Sequence, residues 1–211
     1  DEADQEASRS GALDPTLASE YVVRLSDPRV TAGASSVLGG KGLNLALKAQ
    51  AVAKTGQSIP PGFVITTRVF DDLLSRNPDL KRSMDLELER LKIMYQDWEN
   101  EKDDGRRKAK RSELERELQR VLAGIRGAIE SLQFQAEAKQ RILDEFRALS
   151  PDGTEIQVAV RSSAVDEDSN TPFAGANLTT LNVEGADLLA HAVQNFAALY
   201  HPNAVWYRLS K

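Results

Sequence analysis

Between residues 79 and 150 apolar side chains recur every three or four positions, and this periodicity commits about a third of the chain to helices. Leu80, Met84, Leu88, Leu91, Met94 and Trp98 fall on one helical face. Asp103-Asp104-Gly105 interrupts the pattern, and Ser112 and Glu115 then have the S-x-x-E spacing of a capping box. Leu114, Leu118, Val121, Ile125, Ile129 and Leu132 carry the next stripe. Ile142, Leu143, Phe146 and Leu149 extend helical character after a bend near Gln135, and Ser150-Pro151-Asp152-Gly153 closes the segment. The spacing predicts a charged hairpin of long helices inserted into the rest of the chain. The RRKAKR run at Arg106–Arg111 falls in its predicted turn among many acids, so it reads as a solvated tip rather than a nucleic-acid contact.

Around this segment the signals are those of strands. Tyr21 to Leu25 alternates in strand fashion until Asp27-Pro28 breaks it. Ile59-Pro60-Pro61-Gly62 is a rigid turn leading into a second strand, Phe63 to Thr67. Thr66 and Thr67 are placed to cap a helix running from about Arg68 through Leu74. Val158-Ala159-Val160 reads as a short buried strand, and Leu178, Leu181 and Val183 suggest a return to the sheet. Ala186 to Tyr200 and Ala204 to Leu209 read as helices. The fold class is therefore α+β. Residues 1–18 are acidic, small and almost without bulky apolar side chains, so a disordered arm is expected there. Residues 19–78 and 151–211 form the two parts of one lobe, interrupted by the helical insertion at 79–150.

The 211 residues suffice for one ordinary domain or two small lobes. A net charge of −5 and a pI of about 5.2 exclude a general nucleic-acid or anionic-membrane binder, so any basic site must be local. The absence of cysteine rules out disulfides and thiolate metal sites and fits a reducing compartment. No apolar run approaches the roughly 18 residues of a membrane span, and no signal-peptide pattern opens the chain, so a cytoplasmic location is expected. The start at Asp1 and the stop at Lys211 read as a piece of something longer. His191 and His201 have neither ligand-like nor triad-like neighbours.

Two stretches carry chemistry. Arg161, Ser162 and Ser163 follow the Val158–Val160 strand and lead into an acidic loop that reaches Gly175. An arginine at a strand end can fork onto phosphate oxygens, helped by free loop N–H groups. Leu38-Gly39-Gly40-Lys41-Gly42-Leu43-Asn44-Leu45-Ala46 places a lysine between glycines where a helix begins. Glycine lets a backbone approach a phosphate, and a helix start favours anions. The Walker A spacing is absent. A surface arginine with turn-forming serines and an ordinary turn into a helix would satisfy the same residues.

Taken in order, LGGKGLNLA, IPPGFVITT (Ile59 to Thr67), VAVRSSAVDEDSNTPFAGANLTTLNV (Val158 to Val183) and YHPNAVWYR (Tyr200 to Arg208) resemble the phosphoenolpyruvate synthase and pyruvate phosphate dikinase family. The likeness is to its N-terminal nucleotide-binding domain and covers roughly residues 20–75 and 155–211. It implies an ATP-grasp-like lobe, a mixed sheet with flanking helices, cut before the second lobe of the grasp. It also implies ATP as ligand, with Lys41 and Arg161 on the phosphates and Arg161 in the catalytic role. Ser162, Ser163 and Gly175 belong to the loop over the terminal phosphates. Magnesium ligands, a phosphorylated histidine and a pyruvate site would lie elsewhere in a longer chain, so the fragment alone should be inactive. Adjacent acids in a loop usually point apart, so no metal site is assigned to Asp166, Glu167 and Asp168. A homodimer is compatible with the pattern. The Phe173–Gly175 sequence resembles the synthase and rifampicin branches of the family. The alternative enzyme reading is a related phosphotransferase with another acceptor, such as an antibiotic or a glucan. From another class comes a non-catalytic module that docks a partner through the helical hairpin.

Overall fold

The computed structural model describes residues 11–164 and 178–211. Strand β1 (Val22–Arg24) pairs antiparallel with β2 (Phe63–Ile65), setting Val23 opposite Val64. Strand β3 (Val158–Arg161) pairs antiparallel with β4 (Thr179–Val183). The expected mixed sheet is not seen among the described residues, where the strands form two separate two-stranded ladders. Strands of three to five residues make few ladder bonds, and here side chains join the ladders instead. Val22 and Ile65 from the first share one apolar cluster with Val158, Val160 and Val183 from the second. Helix α5 (Ala136–Ala148) closes that cluster with Ile142 and Phe146.

The β3 strand is only half-buried, with Ala159 exposed, rather than the buried strand its β-branched run suggests. Its partner is bulged. Between the pairs Val158/Val183 and Val160/Thr180, β4 holds two residues where β3 holds one. Asn182 takes the extra turn in the left-handed region at φ 58°. The bulge shifts the side-chain alternation, so Leu181 is 64% exposed while Val183 is buried.

Helix α3 (Pro78–Glu99) and helix α4 (Asp104–Glu130) follow one another and pack together, as the apolar spacing requires. Their shared core includes Met84, Leu91, Tyr95, Leu114, Leu118 and Ile125, and also Leu122, which the predicted stripe omits. It does not belong to the pair alone. Helix α6 (Leu188–Ala198) adds Val193 and Ala197, and helix α7 (Pro202–Leu209) adds Val205. At one end Tyr95, Trp98 and Trp206 pack ring against ring, with centroids 5.3–5.5 Å apart.

The capping box expected at Ser112 and Glu115 is not a helix start. Helix α4 begins eight residues earlier, where the Asp103 carboxylate accepts the Arg106 N–H at 2.9 Å. Ser112 lies mid-helix with its hydroxyl on the Lys108 carbonyl, and Glu115 pairs with Arg111. The Arg106–Arg111 run therefore occupies the first turns of α4 instead of a loop. Its charges are largely met: Arg106 by Glu101, Lys110 by Asp97 and Glu101, and Arg107 by the Trp98 ring.

Residues 11–18 do not behave as the arm their composition suggests. Leu17 is fully buried and Leu13 packs beside it, with Val23, Val30 and Ala34 and with Val37, Leu38, Leu43 and Ala46 of helix α1 (Ser35–Ala53). Two leucines sufficed to anchor a polar stretch, and the Gly33 N–H donates to the Gly11 carbonyl to complete the attachment.

Glu101, in the turn between α3 and α4, accepts the N–H groups of Lys102 and Asp103 and the Lys110 ammonium. These donors, the Asp103 N–H foremost, hold its carboxyl down at about 2. Because the folded value is depressed, its stabilisation is complete above the unfolded value near 4.5 and is lost as pH falls towards 2. We expect an NMR titration of the Glu101 carboxyl to show a midpoint well below that of an ordinary glutamate, and Lys110→Ala to raise it. An ordinary midpoint in the wild type would refute the account of this turn.

Candidate functional site

The two basic stretches meet at Gly39. Helix α1 is a single helical span except at this residue, whose φ of 68° and ψ of 169° only glycine adopts readily. The kink separates a first turn, Ser35 to Leu38, from the body of the helix that begins at Gly40. Into the kink comes the chain leaving β3. The Ser163 hydroxyl donates to the Leu38 carbonyl at 2.8 Å and accepts the Gly42 N–H at 2.8 Å. The Gly40 N–H donates to the Ala164 carbonyl at 2.9 Å.

Gly39 is needed for this approach, and Gly42 is close to its limit. A Cβ on Gly39 would lie 2.4 Å from the Ser163 carbonyl oxygen and 2.5 Å from its hydroxyl. A Cβ on Gly42 would press on Val64 at 3.0 Å and on the Ser163 hydroxyl at 3.3 Å. The glycines thus admit protein backbone, where the sequence suggested that they admit phosphate. Two N–H groups at the restarted helix, those of Gly40 and Gly42, are already satisfied internally and are not available to an anion in this conformation.

Lys41 sits between those two glycines, half-buried, with its own chain neighbours bonded to Ser163 and Ala164. Arg161 is the last residue of β3, backbone-paired with Thr179 and exposed, two residues before the Ser163 lock. Ser162 lies between them in the chain. Its N–H donates to the Leu178 carbonyl at 3.0 Å, while its hydroxyl is buried, 6% exposed, with no hydrogen-bond partner among the described residues. A buried hydroxyl left unpaired is destabilising, so it marks where a further acceptor or donor fits. Gly175 and the acids Asp166, Glu167 and Asp168 lie outside the described residues. Among the described residues no three His, Asp or Glu side chains gather as a metal site would require.

Thr66 has a role that its capping position did not suggest. It is fully buried, and its hydroxyl donates to the Glu20 carbonyl at 2.6 Å rather than capping helix α2 (Thr67–Ser75). Thr67 donates to the Ser36 carbonyl at 3.0 Å and ties α2 to the first turn of α1. The Thr67 hydroxyl thus braces the turn before the glycine kink, while Thr66 ties the start of α2 to the chain entering β1. Nothing in their spacing distinguishes this use from capping. A cleft of about 310 Å³ between Arg24, Ile59, Gly62, Glu145 and Leu149 shares no residue with this site, and its Arg24 and Glu145 are already paired.

The described structure is that of an α+β domain in which a lysine-bearing glycine kink is bolted to an arginine-bearing strand end. A family model described as the pyruvate phosphate dikinase, AMP/ATP-binding domain matches residues 35–211, and the chain belongs to that family. It is 32% identical over 176 residues to the probable phosphoenolpyruvate synthase of Methanothermobacter thermautotrophicus, covering 82% of this chain and 22% of that protein. Against the phosphoenolpyruvate synthase of Escherichia coli the identity is 32% over 174 residues, covering 82% and 19%. Rifampicin phosphotransferase of Streptomyces sviceus is 32% identical over 176 residues, covering 82% and 17%. The chain thus spans about a fifth of the length of the curated relatives it matches. No helix among the described residues is long and apolar enough to cross a membrane.

The Ser163 lock makes a stability prediction. Ser163→Ala removes the partner of both the Leu38 carbonyl and the Gly42 N–H, and should destabilise the domain by about 1–3 kcal/mol. Gly39→Ala should destabilise it more, since strain at positive φ adds to a backbone clash. Urea unfolding would read both, and a Ser163→Ala midpoint equal to wild type would show that the lock carries no load.

Proposed function

We propose that this chain is the ATP-binding portion of a phosphoenolpyruvate synthase-like dikinase. Residues 19–78 and 151–211 would form the first lobe of an ATP-grasp-like domain, with 79–150 as a helical insertion. In this reading Lys41 and Arg161 hold the triphosphate, with Ser162 and Gly175 contributing from the loop that closes over it. Ser163 is a positioning residue: it fixes the Lys41 turn to the strand end that presents Arg161. Phosphoryl transfer rests on positioning and charge neutralisation more than on covalent help from the protein. Two cations on a braced frame suit that task. The terminal phosphoryl group would pass to a carrier histidine in another domain of the same longer chain and then to pyruvate, in the cytoplasm. Magnesium, which ATP chemistry of this kind uses, would be held by residues outside this fragment.

The observation that carries the reading is the three-bond lock between Leu38–Gly42 and Ser163–Ala164, which joins the two basic stretches in space. The similarity to rifampicin phosphotransferase supports a second reading of the same site, with the same ATP grip and an antibiotic as final acceptor. The two readings share Lys41, Arg161 and the Ser163 lock and differ only in the domains beyond.

Calorimetric titration of the intact protein with magnesium and ATP tests the grip. Lys41→Ala and Arg161→Ala should each weaken binding tenfold or more, about 1.4 kcal/mol, with unchanged circular dichroism. An intact, folded protein that binds no nucleotide would end the enzyme reading and leave the hairpin as a partner-docking module.

A further inference from the structure

The outward face of α3 holds Leu86, 67% exposed, and Ile93, 58% exposed. They are seven residues apart, two helical turns, so they share a face about 10 Å long. The opposite face of the same helix is filled by Met84, Leu91 and Tyr95. Helix α3 therefore presents a second apolar seam that the described residues do not cover. The residues flanking that seam are arranged symmetrically about the midpoint between Glu89 and Arg90. Counting outward, Glu89 answers Arg90, Leu86 answers Ile93, and Arg82 answers Asp97. Under a two-fold axis through this midpoint, an identical helix runs antiparallel and sets Arg82 against Asp97, Glu89 against Arg90 and Leu86 against Ile93.

We infer that this face of α3 is a self-association seam whose occupant is α3 of a second copy of the chain, packed antiparallel about a two-fold axis. The surface beside the seam is shaped for it. Leu74, Pro78, Arg82 and Leu86 line a shallow groove of about 430 Å³. Under the two-fold axis, the partner's Ile93 and the partner's Asp97 meet the Leu86 and Arg82 walls of that groove. Arg82 makes no ion pair among the described residues, and Asp97 gives only Oδ1 to Lys110, so Oδ2 remains for the partner's Arg82. Arg90 already reaches Glu87 and Glu117, which confines the Glu89–Arg90 contact to a rim role. With two large apolar side chains from each copy, the seam belongs with small, reversible contacts below about 1,200 Å².

Two measurements on the intact protein test this. In the first, Leu86→Cys and Ile93→Cys proteins are mixed and oxidised. These 211 residues contain no cysteine, so the cross-linked peptides identified by mass spectrometry report the pairing. The 86-to-93 bond should dominate over 86-to-86 and 93-to-93. In the second, sedimentation equilibrium follows concentration-dependent association of wild type, Leu86→Asp, Arg82→Asp, Asp97→Arg and the double charge swap. Each single change should raise the dissociation constant at least tenfold, about 1.4 kcal/mol, and the double swap should return it to within about threefold of wild type. Absence of the 86-to-93 bond, association indifferent to Leu86→Asp, or a double swap as weak as the singles would each overturn the seam. So would a monomer in which the thiols introduced by Leu86→Cys and Ile93→Cys resist maleimide labelling, which would assign the face to another segment of the same protein.

Discussion

One serine hydroxyl, that of Ser163, holds together parts of the chain more than 120 residues apart. It gives its proton to Leu38 and takes one from Gly42, so both groups left unpaired by the kink at Gly39 are satisfied by a single side chain. The kink is what allows α1 to bend around the strand end, and the strand end is what satisfies the kink. Each half completes the other: without Ser163 the kink leaves the Leu38 carbonyl and the Gly42 N–H to solvent, and Ser163 could not approach a side chain at position 39. The positions of Lys41 and Arg161 are set by this mutual dependence.

The rest of the fold keeps that junction in place. Thr67 braces it from α2, while Leu17, Val30 and Ala34 fill the space beneath α1. On the other side, β3 and β4 rest on the cluster closed by Ile142 and Val183, and α6 links that cluster to the helical core through Leu188 and Val193. The long helices α3 and α4 are thereby part of the frame. Their core cannot be completed without Val193, Ala197 and Val205 from the last two helices.

How much of this could be read from the residues depends on the range of the interaction. The 3.6-residue spacing of Leu114, Leu118, Val121, Ile125 and Ile129 is a local signal and placed α4 with the right face inward. The motifs around Lys41 and Arg161 showed the family, and the family model bears that out. What stayed hidden were choices between equivalent local partners. Ser112 with Glu115 matched a cap as well as Asp103 did, and the Asp103 start gave the hairpin its turn. Thr66 could cap α2 or reach back to Glu20, and only the proximity of β1 decided it. Leu181 alternated with Val183 in sequence, but the bulge at Asn182 turned it outward. The glycines at 39, 40 and 42 were visible, yet whether they admit a ligand or a protein backbone is a question about Ser163, far away along the chain.

The helical core has a consequence for how the molecule is made. Synthesis runs from the N-terminus, so α1 emerges with a kink whose Leu38 and Gly42 groups must remain hydrated until residue 163 is added. The apolar face of α3 and α4 likewise waits for α6 and α7 before its last neighbours arrive. Contacts of such long sequence separation place most of the ordering late, after nearly all of these residues have left the ribosome. For this chain a ribosome stalled before residue 163 would hold helices but not the platform on which Lys41 and Arg161 are set.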